Sequence, residues 1–202
     1  YAIQEDETAS VVSLACRMHR EGLLDASLFE DLIVKPACFL RDAVDERGLP
    51  QPSFDLWEER FGVHVYTVAC VIKALRDAAE FVEGCEAAAE KMLHAFLEVF
   101  WDEGRGSFLR RLDEYGNPDT TVDASSLQVG LLGVLSPEDS RVKRNAEKVR
   151  EMLWVHTEMG GIARYSGDWY CRVNDNYPGN PWFICTLWLA QYEALLGNKE
   201  EA

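Results

Sequence analysis

Phe61-Gly62-Val63-His64-Val65-Tyr66-Thr67-Val68-Ala69-Cys70-Val71-Ile72-Lys73-Ala74-Leu75 carries apolar side chains at steps of three and four. Phe61, Val65, Val68, Ile72, Leu75 and, further on, Ala79 fall on one face, which predicts a helix from Leu56 to about Val82, the longest in the chain. The same period recurs on both sides of it. Val11, Leu14, Ala15 and Met18 mark an earlier helix. Phe29, Leu32 and Ile33 mark another, with Ser27 and Glu30 as a capping box, a kink or interruption at Pro36, and Phe39 and Leu40 continuing its buried face before Gly48. Downstream, Met92, Leu93, Phe96 and Phe100 define a further helix. Gly104-Arg105-Gly106 and Tyr115-Gly116-Asn117-Pro118 then predict a small hairpin. Asp123 is placed to cap a short helix through Leu132, Ser136-Pro137 to open one through about Trp154, and Asn180-Pro181 to open the last, through Leu196 and ended by Gly197. About seven helices with little strand-like alternation give an all-α class. The period fits an α-toroid and an α-solenoid equally, and no residue repeat separates them.

The 202 residues, 48% of them hydrophobic, suffice for one domain's core. A net charge of −15 opposes a nucleic-acid partner, whose phosphates it would repel, and suits a neutral ligand such as a saccharide. Acidic runs such as Glu83, Glu86 and Glu90 read as solvated helix faces. No apolar run reaches the roughly 18 to 20 residues of a membrane span, so no membrane partner is expected. Cys16, Cys38, Cys70, Cys85, Cys171 and Cys185 fall mostly in apolar helical stretches without a C-x-x-C pair. That usage favours free thiols in a reducing cytoplasm, although an even count also permits disulfides. Neither the cysteines nor His19, His94 and His156 have the spacing of a metal site, and no cofactor is expected.

Two segments carry chemistry. Asp55-Leu56-Trp57-Glu58-Glu59 follows the Pro/Gly-rich Gly48-Leu49-Pro50-Gln51-Pro52-Ser53. An indole beside a carboxyl packs on the apolar face of a pyranose and excludes water, raising the carboxyl pKa as a sugar-cleaving acid requires. The plainer reading is a helix cap, with Asp55 accepting backbone N–H groups and Glu58 reaching back. At a helix start the dipole favours an ionised Glu58, so Trp57 and bound sugar must shield it, while Glu59 points about 100° away around the helix. His64, six residues after Glu58, could support a carboxylate but is left outside the site as a packing or capping residue. The second segment runs from Gly160-Gly161-Ile162-Ala163-Arg164-Tyr165 through Asp168-Trp169-Tyr170 to Tyr177-Pro178-Gly179-Asn180-Pro181-Trp182. Aromatic rings with one Arg and one Asp suit a sugar, whose hydroxyls take charge-assisted hydrogen bonds and whose apolar face stacks on rings. Loop packing with Asn180 as helix cap is the competing account.

These segments, with Gln4-Glu5-Asp6, Leu49 to Arg60, Val122-Asp123-Ala124-Ser125-Ser126-Leu127, and Phe183 with Thr186-Leu187-Trp188, resemble in their order the glucoamylase family, glycoside hydrolase family 15. Its enzymes remove sugar units from α-glucans and related saccharides with inversion. The resemblance spans nearly the whole chain and implies part of an (α/α)6 barrel. Glu58 matches the family's general acid. Asp55, Trp57 and Glu59 match the residues around it, Glu59 as a substrate-binding carboxylate. Arg164, Asp168 and Trp182 match the sugar-binding Arg, its nearby Asp and the aromatic of the Asn-Pro-Trp turn. The family's water-activating carboxylate belongs to a segment after that turn's helix, and its upstream Arg-Asp turn has no counterpart here. Residues 1–202 are therefore expected to be one domain's central fragment, incomplete at both ends and inactive alone. A noncatalytic helical protein, either a degenerate sugar-binding member or a scaffold module, is the alternative, supported by the absent base.

Overall fold

Residues 3–198 and 200 are described in this computed structural model, so the ends of the expected 1–202 domain lie outside the described residues. Among the described residues are seven α-helices and six short strands. Helix therefore dominates, as the apolar period requires, and short hairpins punctuate it. The chain forms two contact-defined units, Tyr1–Val99 with Leu112–Asn117, and Phe100–Arg111 with Pro118–Ala202.

In the first unit, α1 (Glu5–Arg20) packs on α3 (Val65–Ala78). Helix α1 buries Ala9, Val12, Ala15 and Cys16, while Val11 and Leu14 are 47% and 60% exposed. The inward face is thus rotated from the expected one. Ala9, Val12 and Cys16 form a second ladder of the same period, and their small side chains suit the close packing of α1 on α3, where Val68, Ala69 and Ile72 are buried. Next come a 3₁₀ turn (Ala26–Leu28), a π-helical turn (Glu30–Val34) and α2 (Lys35–Asp42). Asp25, rather than Ser27, is the cap: its carboxylate accepts both the N–H and the hydroxyl of Ser27 at 2.8 Å. Pro36, which has no N–H, follows directly on the π-helical turn, where the Lys35 N–H reaches back five residues to Glu30 O, so the α-helical bonding is interrupted at this point as expected. Leu40 is buried as expected, but Phe39 is 39% exposed.

The largest departure lies at residues 53–64. In place of a helix beginning at Leu56, β1 (Ser53–Phe54) pairs antiparallel with β2 (Phe61–His64), Ser53 opposite Gly62 and Phe54 opposite Phe61, and α3 begins only at Val65. Three local terms favour the hairpin. Phe54 and Phe61 meet edge-on across the strands with centroids 5.6 Å apart. The Asp55 carboxylate takes backbone donors that a helix would have used. Gly62 lets the strand approach Leu112 of β5 (Arg111–Asp113) so closely that a Cβ would stand 2.2 Å from the Leu112 carbonyl oxygen. Beyond α3, α4 (Cys85–Phe100) buries Cys85, Ala89, Met92 and Phe96. Burying a side chain such as Ile72 or Phe96 contributes about 2 kcal/mol.

The second unit opens with the anticipated hairpin, β3 (Trp101–Asp102) against β4 (Ser107–Phe108). After β6 (Pro118–Asp119), Asp123 caps the expected short helix, accepting the Ser125 N–H at 2.8 Å. This 3₁₀ turn (Ala124–Leu127) runs into α5 (Gln128–Leu131). Helix α6 (Ser140–Leu153) begins four residues after Ser136, because Asp139 supplies the cap to the Arg141 N–H while the Ser136 hydroxyl serves only a turn. Helix α7 (Phe183–Leu195) is the last, with Gly197 beyond it at φ 81°.

Candidate active site

Asp55, Trp57, Glu58 and Glu59 occupy the loop of the β1–β2 hairpin, not a helix start. Asp55 is 4% exposed, and its Oδ1 accepts the N–H groups of Glu59 at 2.8 Å and Arg60 at 3.0 Å. Its backbone N–H reaches the Arg60 carbonyl at 2.9 Å, and its carbonyl accepts the Glu58 N–H at 2.8 Å and Gln4 Nε2 at 3.2 Å. Asp55 is a cap, then, but of a turn. The reciprocal reach of Glu58 is not part of it. Glu58 instead stands at the tip with φ 57°, a left-handed conformation that L side chains other than Asn and Asp seldom take. Glu58 and Glu59 are exposed and Trp57 is half-buried. The expected 100° divergence of the two glutamates falls with the helix that dictated it. His64 is buried at the end of β2, its Nε2 3.1 Å from the Ser53 carbonyl, which agrees with a packing role.

Two groups that the sequence placed in a matching segment without a role lie beside this hairpin. Glu5 and Asp6, in the first turn of α1, are 3% and 4% exposed. Thr67 donates to Asp6 at 3.2 Å. Burial, aided by the nearby Asp6 charge and only partly offset by a hydrogen bond from Ser53, pushes the Glu5 carboxyl up to about 7. Burial likewise raises Asp6. The signal was present in Gln4-Glu5-Asp6-Glu7, where acidic residues occupy a helical face that must pack.

In the second unit, Arg164, Asp168 and Trp182 come together. The Arg164 fork meets Asp168 with two hydrogen bonds of 2.8 Å, at 4% and 0% exposure. Asp168 also accepts the Tyr170 N–H at 3.0 Å. Burial alone would raise the Asp168 carboxyl, but the hydrogen bonds from Arg164 and Tyr170 prevail and hold it below the usual carboxylate range. The Arg164 guanidinium lies 4.9 Å from the Trp182 ring centroid, 5.2 Å from that of Tyr170 and 5.4 Å from that of Tyr165.

The backbone of this segment is fastened on both sides. Arg164 O accepts the Ala124 N–H at 2.8 Å, and Ser166 N–H reaches Val122 O at 2.9 Å. On the other side Trp182 N–H reaches Ile162 O at 2.9 Å, and Ile162 N–H reaches Thr186 Oγ1 at 3.0 Å. Asn180 is not the cap of α7. Its Nδ2 donates to the carbonyls of Tyr170 at 3.3 Å and Cys171 at 2.7 Å, folding the 168–173 loop over Asp168. Among the described residues, no group of three or more His, Cys, Asp or Glu is arranged to hold a metal ion.

A profile of Glycosyl hydrolases family 15 matches residues 2–201. The chain belongs to that family. An uncharacterized glycosyl hydrolase of Methanocaldococcus jannaschii is 32% identical over 205 residues, covering 95% of this chain and 31% of that protein. A probable glucoamylase of Schizosaccharomyces pombe is 29% identical over 163 residues, 72% of this chain and 34% of the relative. This family 15 chain thus spans about a third of the curated relatives it matches. Its fold is shared with a bacterial glucoamylase solved with acarbose, at TM-score 0.74 and 23% identity over 97% of this chain and 33% of that one. A wild-type glycosidase aligns with TM-score 0.75 and 19% identity, over 100% of this chain and 51% of its own.

Proposed function

We propose that the protein carrying this chain is an exo-acting, inverting hydrolase of α-glucosidic linkages in oligo- or polysaccharides. Family 15 membership, together with the presentation of Glu58 at a strained loop tip, carries this reading. Glu58 donates its proton to the glycosidic oxygen as the bond breaks. Trp57 and the sugar itself exclude water from that carboxyl, while Asp55 fixes the turn and Glu59 binds hydroxyls. Arg164, held by Asp168, hydrogen-bonds the terminal sugar, and Trp182 stacks on its apolar face. A second carboxylate, in a segment that follows α7, deprotonates water on the opposite face at roughly 6.5 to 9.5 Å from Glu58, which gives inversion. Residues 1–202 are in this account a central portion of one (α/α)6-barrel domain and do not turn over substrate alone. A reducing, cytoplasmic location suits its cysteines, which carry no disulfide among the described residues.

Glucose release from maltose, isomaltose, starch and trehalose tests this reading in the full-length protein, in residues 1–202 and in Glu58→Gln. Hydrolysis by the full-length protein that falls at least about 100-fold in Glu58→Gln supports it. Saccharide binding without hydrolysis in the full-length protein sinks it in favour of a degenerate binding protein. Turnover by residues 1–202 alone would refute the placement of the second carboxylate.

A further inference from the structure

Tyr165 is 1% exposed and so presents nothing to a ligand. Its ring is nonetheless covered by the Arg110 guanidinium, with Cζ 4.0 Å from the ring centroid. Arg110 is 3% exposed and pairs with Asp123, also 3% exposed, at 3.0 Å. Main-chain bonds fix all three positions: the Arg110 N–H reaches Asp119 O at 2.9 Å, and Asp123 and Tyr165 face each other in a β-bridge. At its other end Tyr165 hydrogen-bonds the Asp168 carboxylate, the same group that accepts from Nε and Nη2 along one edge of the Arg164 guanidinium. A buried ion pair seldom stabilises a fold better than well-packed apolar side chains, so such a pair behind a tyrosine calls for another use. Its directional bonds can define where a ring sits, and a ring so fixed aims its hydroxyl at one carboxylate.

We propose that Tyr165, clamped by the Arg110–Asp123 pair, is a positioning residue that orients Arg164 for saccharide binding by steering Asp168. The proposal rests on Arg164 being a saccharide-binding group, as argued above. The chain of action runs from Asp123 to Arg110, to the ring of Tyr165, through its hydroxyl to Asp168, and so to the guanidinium that meets sugar hydroxyls. Shifting Asp168 by a few tenths of an ångström turns the guanidinium that it grips, and with it the remaining N–H groups that meet the sugar.

Acarbose affinity of the full-length protein, measured by calorimetry beside thermal midpoints, tests it. Tyr165→Phe keeps the ring under Arg110 and deletes only the hydroxyl. It should weaken acarbose binding about 5- to 10-fold, within the net worth of one ordinary hydrogen bond, while the midpoint falls by only about 2 to 4 °C. Arg110→Lys keeps charge opposite Asp123 but loses the planar contact, and should weaken binding less. Added to Asp168→Asn, Tyr165→Phe should cost almost nothing further, because the ring that lies 5.4 Å from Arg164 is kept and the carboxylate through which the hydroxyl acts is already gone. Unchanged affinity in Tyr165→Phe, or full additivity with Asp168→Asn, overturns the proposal in favour of plain packing. Arg164→Lys separates the two readings. If it leaves affinity intact, the saccharide role of Arg164 is wrong and the proposal falls with it. If it weakens binding while Tyr165→Phe does not, only the proposal falls. Should Arg110→Lys fail to fold, the Tyr165→Phe and Asp168→Asn cycle decides alone.

Discussion

Asp55 shows how one residue type serves two readings: its sequence context predicts both a cap and a site, and the structure makes it a cap of the loop that presents Glu58. Asp55→Ala leaves two N–H groups without their acceptor and should cost about 1 to 3 kcal/mol of stability, read from urea unfolding. Glu58-dependent hydrolysis should fall with it. Glu5 makes a pH-dependent prediction. Its carboxyl rises from 4.5 to about 7 in the folded chain, so the native state holds the proton more tightly than the unfolded one. The resulting stability is complete below pH 4.5, declines through the window from 4.5 to 7 and is gone above it. Glu5→Gln should abolish about 3 kcal/mol of that decline, measured as unfolding midpoints at pH 4, 6 and 8. That Arg164, Asp168 and Trp182 come together was legible because one short, aromatic-rich segment carries all three. Arg110 was not, since an arginine next to Arg111 looks like surface charge until burial is known.

At the scale of elements, period identified α3, α4, α6 and α7, while the starts expected for α3, α6 and α7 were placed too early. The apolar ladder from Phe61 runs unbroken into α3, and nothing in that ladder signals that its first four residues, Phe61–His64, pair with Ser53–Phe54 instead. Pairing is a two-segment property, and a one-segment pattern cannot contain it. The same holds for Asn180, whose bonds to Tyr170 and Cys171 depend on a loop returning from ten residues earlier. That loop makes its own prediction. A Cβ on Gly179 would lie 2.8 Å from the Asp168 Cβ and 3.3 Å from that of Ala163. Gly179→Ala should therefore displace the Asp168 loop and cost about 1 to 3 kcal/mol, with saccharide affinity reduced, whereas Gly133→Ala, with open space at its Cβ, pays only for backbone conformation. Comparing the two variants by thermal unfolding and calorimetry separates lost space from lost glycine freedom.

For the molecule as a whole, helical class was legible from composition and period, but ring closure came only from resemblance, because a helix pattern says nothing about which helix neighbours which. Surfaces tell part of that missing story. Helix α7 exposes three large apolar side chains, Phe183 at 87%, Leu187 at 56% and Leu195 at 57%. Residues 1–202 in isolation should accordingly bind a hydrophobic dye, and Phe183→Gln with Leu187→Gln should cut the dye signal by about half or more. With 35 acidic against 20 basic residues, added salt should also raise the unfolding midpoint by screening self-repulsion. The left-handed backbone at Glu58 has a consequence on the scale of lineages. Glycine there would relieve about 1 kcal/mol of strain, so Glu58→Gly should melt about 2 to 4 °C higher than the parent while cleaving nothing. Selection for durability alone would erase this glutamate, and its persistence in a descendant is then a record that turnover was still being selected.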